Sequence, residues 1–282
     1  MIAFVNNLKT AFLLGALFAL IVAVGAFWGW QGMLVGGVIG VVMNFSMWFF
    51  SDTIAIASMR GRQVDERSAP ALVGMVRQLS ERAGLPMPRV YICPHEAPNA
   101  FATGRNPRHA AVAVTEGALR LLDARELEGV MAHELAHIKN RDTLTSTIAG
   151  TVAGIFSMLA QMALFFGGGN NREGSNPLIG LLLVILAAVG AALIQAMISR
   201  SREFVADADG AAIAGSPDGL ASALRKLESF ARRVPMDQPN PAMNNLFIVE
   251  PAMAFGGSML GNIFATHPPT EKRIAALMGR RR

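Results

Sequence analysis

The chain has one cysteine, Cys93, among 282 residues. A single thiol excludes an intrachain disulfide and any cysteine-based zinc site, and leaves Cys93 the role of a small buried apolar residue. Charge is scarce as well. Asp, Glu, Lys and Arg make up 16% of the residues, against about 25% in ordinary soluble domains. Glycines are plentiful, yet none falls in a Walker or dinucleotide-binding pattern, so no nucleotide site is expected. The formal net charge of +5 does not imply nucleic acid, because the basic residues cluster elsewhere for another reason.

That reason is topology. Residues 10–51, 143–171 and 174–199 contain no charged side chain at all. Each stretch can cross a hydrocarbon core of about 30 Å, which takes about 20 helical residues. The first is long enough for two spans, with a break expected near Trp28-Gly29-Trp30-Gln31-Gly32. The spacing predicts spans at 10–28, 33–51, 144–166 and 178–198. A cleaved signal peptide is the rival for the N-terminus, but a second apolar run follows directly and favours a retained hairpin. Lys9, Arg60, Arg62 and Arg67 flank the first hairpin, and Lys139, Arg141, Arg200 and Arg202 the second. The positive-inside rule then puts both termini on the cytoplasmic side.

Between the hairpins, Pro70 to Ala83 reads as an amphipathic helix closed by Gly84. Val90–Ile92 reads as a strand. Ala100–Thr103 and Ala110–Thr115 read as a strand pair across Gly104-Arg105-Asn106-Pro107-Arg108. Val112 and Val114 suit an edge strand on which an extended peptide lies, or an ordinary core strand. Helices follow at Glu116–Leu122 and Ala124–Arg141.

The second of these helices carries His133-Glu134-Leu135-Ala136-His137. Residues four apart share a helix face, so both imidazoles can close on one ion at about 2.0–2.1 Å each. Glu134 is rotated off that axis and is free to act as a base toward a water; this is the H-E-x-x-H pattern of zinc hydrolases. A catalytic site needs a third protein ligand and an open position. The third and fourth spans form an antiparallel hairpin, so the end of one and the start of the other meet at one membrane face. His137 lies just before the third span and Glu203 just after the fourth, which brings Glu203 beside the histidines. Asp207 follows one turn later, where it can accept the free N–H of a ligand histidine. The plainer readings are an interfacial Glu203 paired with Arg200 or Arg202, and a solvated Asp207.

Taken together, His133-Glu134-Leu135-Ala136-His137, Ser199-Arg200-Ser201-Arg202-Glu203-Phe204-Val205-Ala206-Asp207, Asn99-Ala100-Phe101-Ala102-Thr103-Gly104 and Thr266-His267-Pro268-Pro269 resemble, in order, the HtpX-type bacterial heat-shock membrane metalloproteases, relatives of the CAAX prenyl endopeptidases. The resemblance covers nearly the whole chain. It implies His133, His137 and Glu203 as ligands of one Zn2+ per subunit, Glu134 as catalytic base, and a role in membrane-protein quality control under stress. It also suggests that His267 approaches the active site as an oxyanion donor, although a proline-flanked histidine reads equally as a turn residue. Arg273 could orient that region or pair with Asp207. Asn99 and Phe101 could line a substrate strand or serve turn and core. His95 and His109 read as surface residues.

The expectation is therefore an α-helical integral membrane protein with four transmembrane helices and a cytoplasmic α+β zincin-like domain. Hairpins at 10–51 and 143–199 would alternate with catalytic segments at 52–142 and 200–282. Substrates would be polypeptides, chiefly misfolded membrane proteins, cut at the cytoplasmic face of the bacterial inner membrane, the lipid bilayer being the only other partner. Two alternatives stay open: a protease for lipid-modified peptides, and a non-proteolytic scaffold in which zinc only ties the hairpins together.

Overall fold

The computed structural model describes residues 2–26, 29–148, 200–233 and 268–279. The chain opens with two apolar helices, α1 (Ile2–Gly25) and α2 (Gly29–Phe49). Contacts pair Gly25 with Gly32, Gly36 with Ile21 and Val22, and Gly40 with Phe18, while Asn44 donates to the Leu14 carbonyl at 2.9 Å. Rising numbers on one helix against falling numbers on the other make this an antiparallel hairpin. The break falls at the start of the expected stretch. Gly29 turns the chain at φ +73°, and Trp30, Gln31 and Gly32 already belong to α2. Among the described residues α2 is the one helix long and apolar enough to cross a membrane; α1 offers a shorter apolar stretch, Asn7–Ala23. One face of α2 exposes Leu34, Val38, Val41, Val42 and Phe45.

A short helix, α3 (Ser51–Ser58), and strand β1 (Arg62–Val64) follow. Helix α4 (Pro70–Ala83) has proline in its first turn, where the missing N–H costs nothing, and ends on Gly84 in the left-handed region. Strands β2 (Arg89–Cys93), β3 (Ala100–Asn106) and β4 (His109–Thr115) complete a sheet of order β1-β2-β4-β3. β2 and β4 run parallel; the outer pairs are antiparallel. Helices α5 (Glu116–Leu121) and α6 (Ala124–Asn140) come next. The later segments supply α7 (Arg200–Ala214), α8 (Asp218–Arg233) and α9 (Thr270–Gly279).

The sheet is covered on both faces. Val90, Val112 and Val114 pack with α4 and α6 through Val76, Leu79, Val130 and Leu135. Tyr91, Cys93, Phe101 and Ala113 pack on the other face against Ala55, Ile56 and Met59 at α3. Two expectations are corrected here. Val112 and Val114 lie on a central strand, with β2 on one side and β3 on the other, so no peptide can add beside them. Phe101 is a core residue under α3 and does not face a substrate. The edge strands are β1 and β3.

Residues 143–148 begin a further helix, tied to α1 by Thr10–Thr145 (2.9 Å) and to β3 by Thr103–Thr147 (3.0 Å). The remainder of the expected third and fourth spans, residues 235–261 and His267 lie outside the described residues.

Candidate active site

Helix α6 has a complete capping box. The Asp123 carboxylate accepts from the Arg125 and Glu126 N–H groups, and Glu126 returns a bond to the Asp123 N–H. Glu126 also accepts from Ser222 and Lys226 of α8, both at 2.7 Å, which locks the start of α6 to that helix. Two glycines allow the helices to touch. A Cβ at Gly129 would stand 2.4 Å from the Leu220 nitrogen, and one at Gly210 would stand 2.9 Å from both the nitrogen and Cα of His133. The second contact seats α7 directly against the metal-motif turn of α6.

That seating brings three donors together. The Nε2 atoms of His133 and His137 are 3.1 Å apart, with their rings edge to face. Glu203 of α7 places Oε2 3.7 Å from the first and Oε1 3.6 Å from the second. Ligand atoms at about 2.0–2.1 Å in a tetrahedral site are separated by about 3.3 Å, so this triangle fits a metal ion. The surrounding charge agrees. Burial lowers the His137 pKa, but Asp142, Glu203 and Glu134 outweigh it and hold the imidazole up at about 9. Positive charge is wanted where the donors converge.

Each imidazole also has a carboxylate behind it. His133 Nδ1 lies 3.0 Å from Asp207 Oδ1, and His137 Nδ1 lies 3.2 Å from Asp142 Oδ2. Arg273, at 1% exposure, enters from α9 and donates to both oxygens of Asp207, at 2.9 and 2.6 Å. Its Nη2 is also 3.7 Å from Glu203. Burial alone would push the Asp207 carboxyl up; Arg273 and His133 prevail and hold it at about 2. On the far side, Asp142 faces Arg202 at 3.4 Å.

Glu134 is buried beside the triangle, outside it. Burial raises its carboxyl above the usual range, with His133 and His137 pulling the other way and the backbone N–H of Ala102 donating to it. Ala102 lies on edge strand β3. The Thr115 N–H donates to the Asn99 carbonyl at 2.9 Å and the Asn99 N–H to the Thr115 hydroxyl at 2.8 Å, which ties the start of β3 to the end of β4. The Gly104 carbonyl accepts from the Thr143 hydroxyl at 2.9 Å.

Asn99 is buried, with its backbone tied to Thr115, and does not present a side chain at the surface. His95 is half-buried, not a free surface group: its Nε2 sits 3.1 Å from the Met59 carbonyl. His109 does lie in the exposed turn, against Asn106. Sequence reasoning missed Asp142. It stands five residues after His137, off the helical face, and only the left-handed turn at Arg141 (φ 57°) brings it back.

The model of Peptidase family M48 matches residues 66–281. A protein named Protease HtpX homolog from Methylibium petroleiphilum is 50% identical over 277 residues, covering 97% of each chain. Its namesake from Nostoc punctiforme is 50% identical over 281 residues, covering 97% of this chain and 96% of that one. Among solved structures, S. mikatae Ste24p superposes with a TM-score of 0.53 at 15% identity, over 98% of this chain and 66% of that one. The last likeness is one of fold.

Proposed function

The chain belongs to peptidase family M48 and is a metalloprotease, and from that premise we propose a zinc endopeptidase that cuts membrane proteins where they leave the bilayer. His133, His137 and Glu203 hold the ion. The observation that carries this assignment is their convergence, with the two Nε2 atoms 3.1 Å apart, Glu203 Oε2 3.7 Å from that of His133 and Oε1 3.6 Å from that of His137. Among the described residues those three groups converge, and three protein ligands are the complement of a catalytic zinc site.

Zinc held by these three residues would supply Lewis acidity toward a water and the scissile carbonyl. Glu134 takes the proton of the attacking water and passes it to the leaving amine. Its raised pKa suits that task, since the carboxyl must hold a proton between the two steps. Asp207 and Arg273 keep the His133 ring turned toward the donors. The substrate backbone lies along the outward side of β3, whose Ala102 N–H already fixes Glu134. On the sequence resemblance, His267 donates to the developing oxyanion.

The membrane reading rests on the α1–α2 hairpin, the charge-free stretches and the basic flanks. It comprises four spans with both termini and the site cytoplasmic, in a bacterial inner membrane, serving quality control under stress. The test compares parent protein and Glu134→Gln, purified in detergent with chelator until assay, for zinc content and casein cleavage. Zinc in both with cleavage only by the parent is expected. Equal cleavage by both removes Glu134 as the base.

A further inference from the structure

The two histidines are held in parallel ways from different parts of the chain. Behind His133 stands Asp207, gripped by Arg273. Behind His137 stands Asp142, whose other oxygen faces Arg202. Asp142 is 3% exposed and lies just past the end of α6. Its own N–H donates to the His137 carbonyl at 3.0 Å, and its carbonyl accepts from Ser146 at 3.0 Å. One residue therefore closes α6, opens the next helix and returns its carboxylate to the imidazole.

We propose that Asp142 is the positioning residue for His137, with Arg202 keeping the Asp142 carboxylate in place. The imidazole can carry its proton on either nitrogen. A carboxylate on Nδ1 draws the proton there and leaves the Nε2 lone pair directed at His133 Nε2, 3.1 Å away, where the ion belongs. The same contact fixes the ring's rotation. Without it, the Nδ1 side of the His137 ring loses its carboxylate, and that ring is the more exposed of the two, at 16% against 1% for His133. Asp142 touches neither the ion nor the substrate; it acts through His137. This inference rests on His137 being a metal ligand.

The experiment titrates zinc into chelator-stripped full-length protein in detergent, by competition with an indicator, for the parent, Asp142→Ala and Asp142→Asn. Metal-free melting curves are recorded alongside. Losing such a partner lowers metal affinity by about 10–100-fold, and that is the result expected for Asp142→Ala. Asp142→Asn keeps an oxygen that can accept the Nδ1 proton, so it falls between. At saturating zinc, kcat recovers and KM stays at the parent value, which a general loosening of the fold would not produce. If Asp142→Ala lacks a metal-free melting transition, the near-isosteric Asp142→Asn decides alone. An unchanged zinc affinity in the folded variant overturns the proposal. Failure of the parent to bind zinc overturns the ligand assignment instead, and the inference with it.

Discussion

Replacing Arg273 by methionine leaves the Asp207 carboxylate in the interior without its main partner. Arg273 is 1% exposed and makes two hydrogen bonds to Asp207, at 2.9 and 2.6 Å; the Asp207 side chain is 2% exposed. Neither group can turn to water. Breaking a buried pair from one side costs about 3–5 kcal/mol, mostly as the penalty on the charge left behind. For a domain of this size, each kcal/mol moves the melting temperature by about 2–4 °C, so the metal-free variant should melt about 6–20 °C below the parent. Arg273→Lys should fall between, because an ammonium group cannot span both carboxylate oxygens. The decisive comparison is the double variant Arg273→Met with Asp207→Leu. If the loss comes from an abandoned charge, removing that charge returns part of the stability, although Glu203, 3.7 Å from Arg273, still misses its positive neighbour. Thermal unfolding of all four proteins in detergent with chelator reads this directly. A single variant as stable as the parent, or a double variant less stable than the single, would refute the reasoning.

Gly210→Ala should lower both zinc affinity and melting temperature, because the methyl would sit 2.9 Å from the His133 backbone. Overpacking of this kind costs about 1–3 kcal/mol, more than the gain of up to about 1 kcal/mol that alanine brings to a helix. Burial raises the Glu126 carboxyl, but Lys226, Ser222 and the Asp123 N–H prevail and lower it. Its contribution to stability is therefore present above the ordinary glutamate pKa and lost as pH falls through the lower folded value. Glu126→Gln should flatten that acid limb in melting scans between pH 3 and 6, the window about the unperturbed value of about 4.3. Burial pushes the Cys93 thiol up to about 11, so iodoacetamide at pH 8 should leave it intact by mass spectrometry until denaturant is added. Zinc at 100 times its Kd should stabilise the stripped protein by about 2.7 kcal/mol, read as a rise in melting temperature that chelator reverses.

Local chemistry explains which elements the sequence discloses. Asp123 with Glu126, Pro70 with Gly84, and Gly215-Ser216-Pro217 are stop and start signals written within a few residues, and α6, α4 and the α7–α8 break fall at them. Strand order is not local. Ala110–Val114 is apolar at every position, a pattern that fits a buried central strand as readily as one face of an edge strand. Only the pairing of β2 with β4 across the intervening β3 separates the two readings. Strand β1 and helix α3 are short, three and eight residues, too brief for a period to emerge. The contact of Phe101 with α3 was hidden for the same reason.

The site divides along the same line. Two histidines one turn apart need only a helix to meet. Glu203 needs α7 to return to α6, and that return is set by Gly210, which lies seven residues beyond Glu203 and carries no chemistry of its own. Asp142 needs a left-handed residue at Arg141, which no side-chain pattern announces. The assembled centre holds four buried carboxylates, Glu134, Asp142, Glu203 and Asp207, around two imidazoles. Two guanidinium groups reach it, and each serves an aspartate behind a histidine before anything else. Arg273 also reaches the point where the donors converge, its Nη2 lying 3.4 Å from His133 Nε2 and 3.7 Å from Glu203, so four carboxylates share two guanidinium groups. Buried carboxylates in excess of fixed cations are costly to the empty protein and attract a dication, so the arrangement that weakens the fold is the one that favours a metal ion.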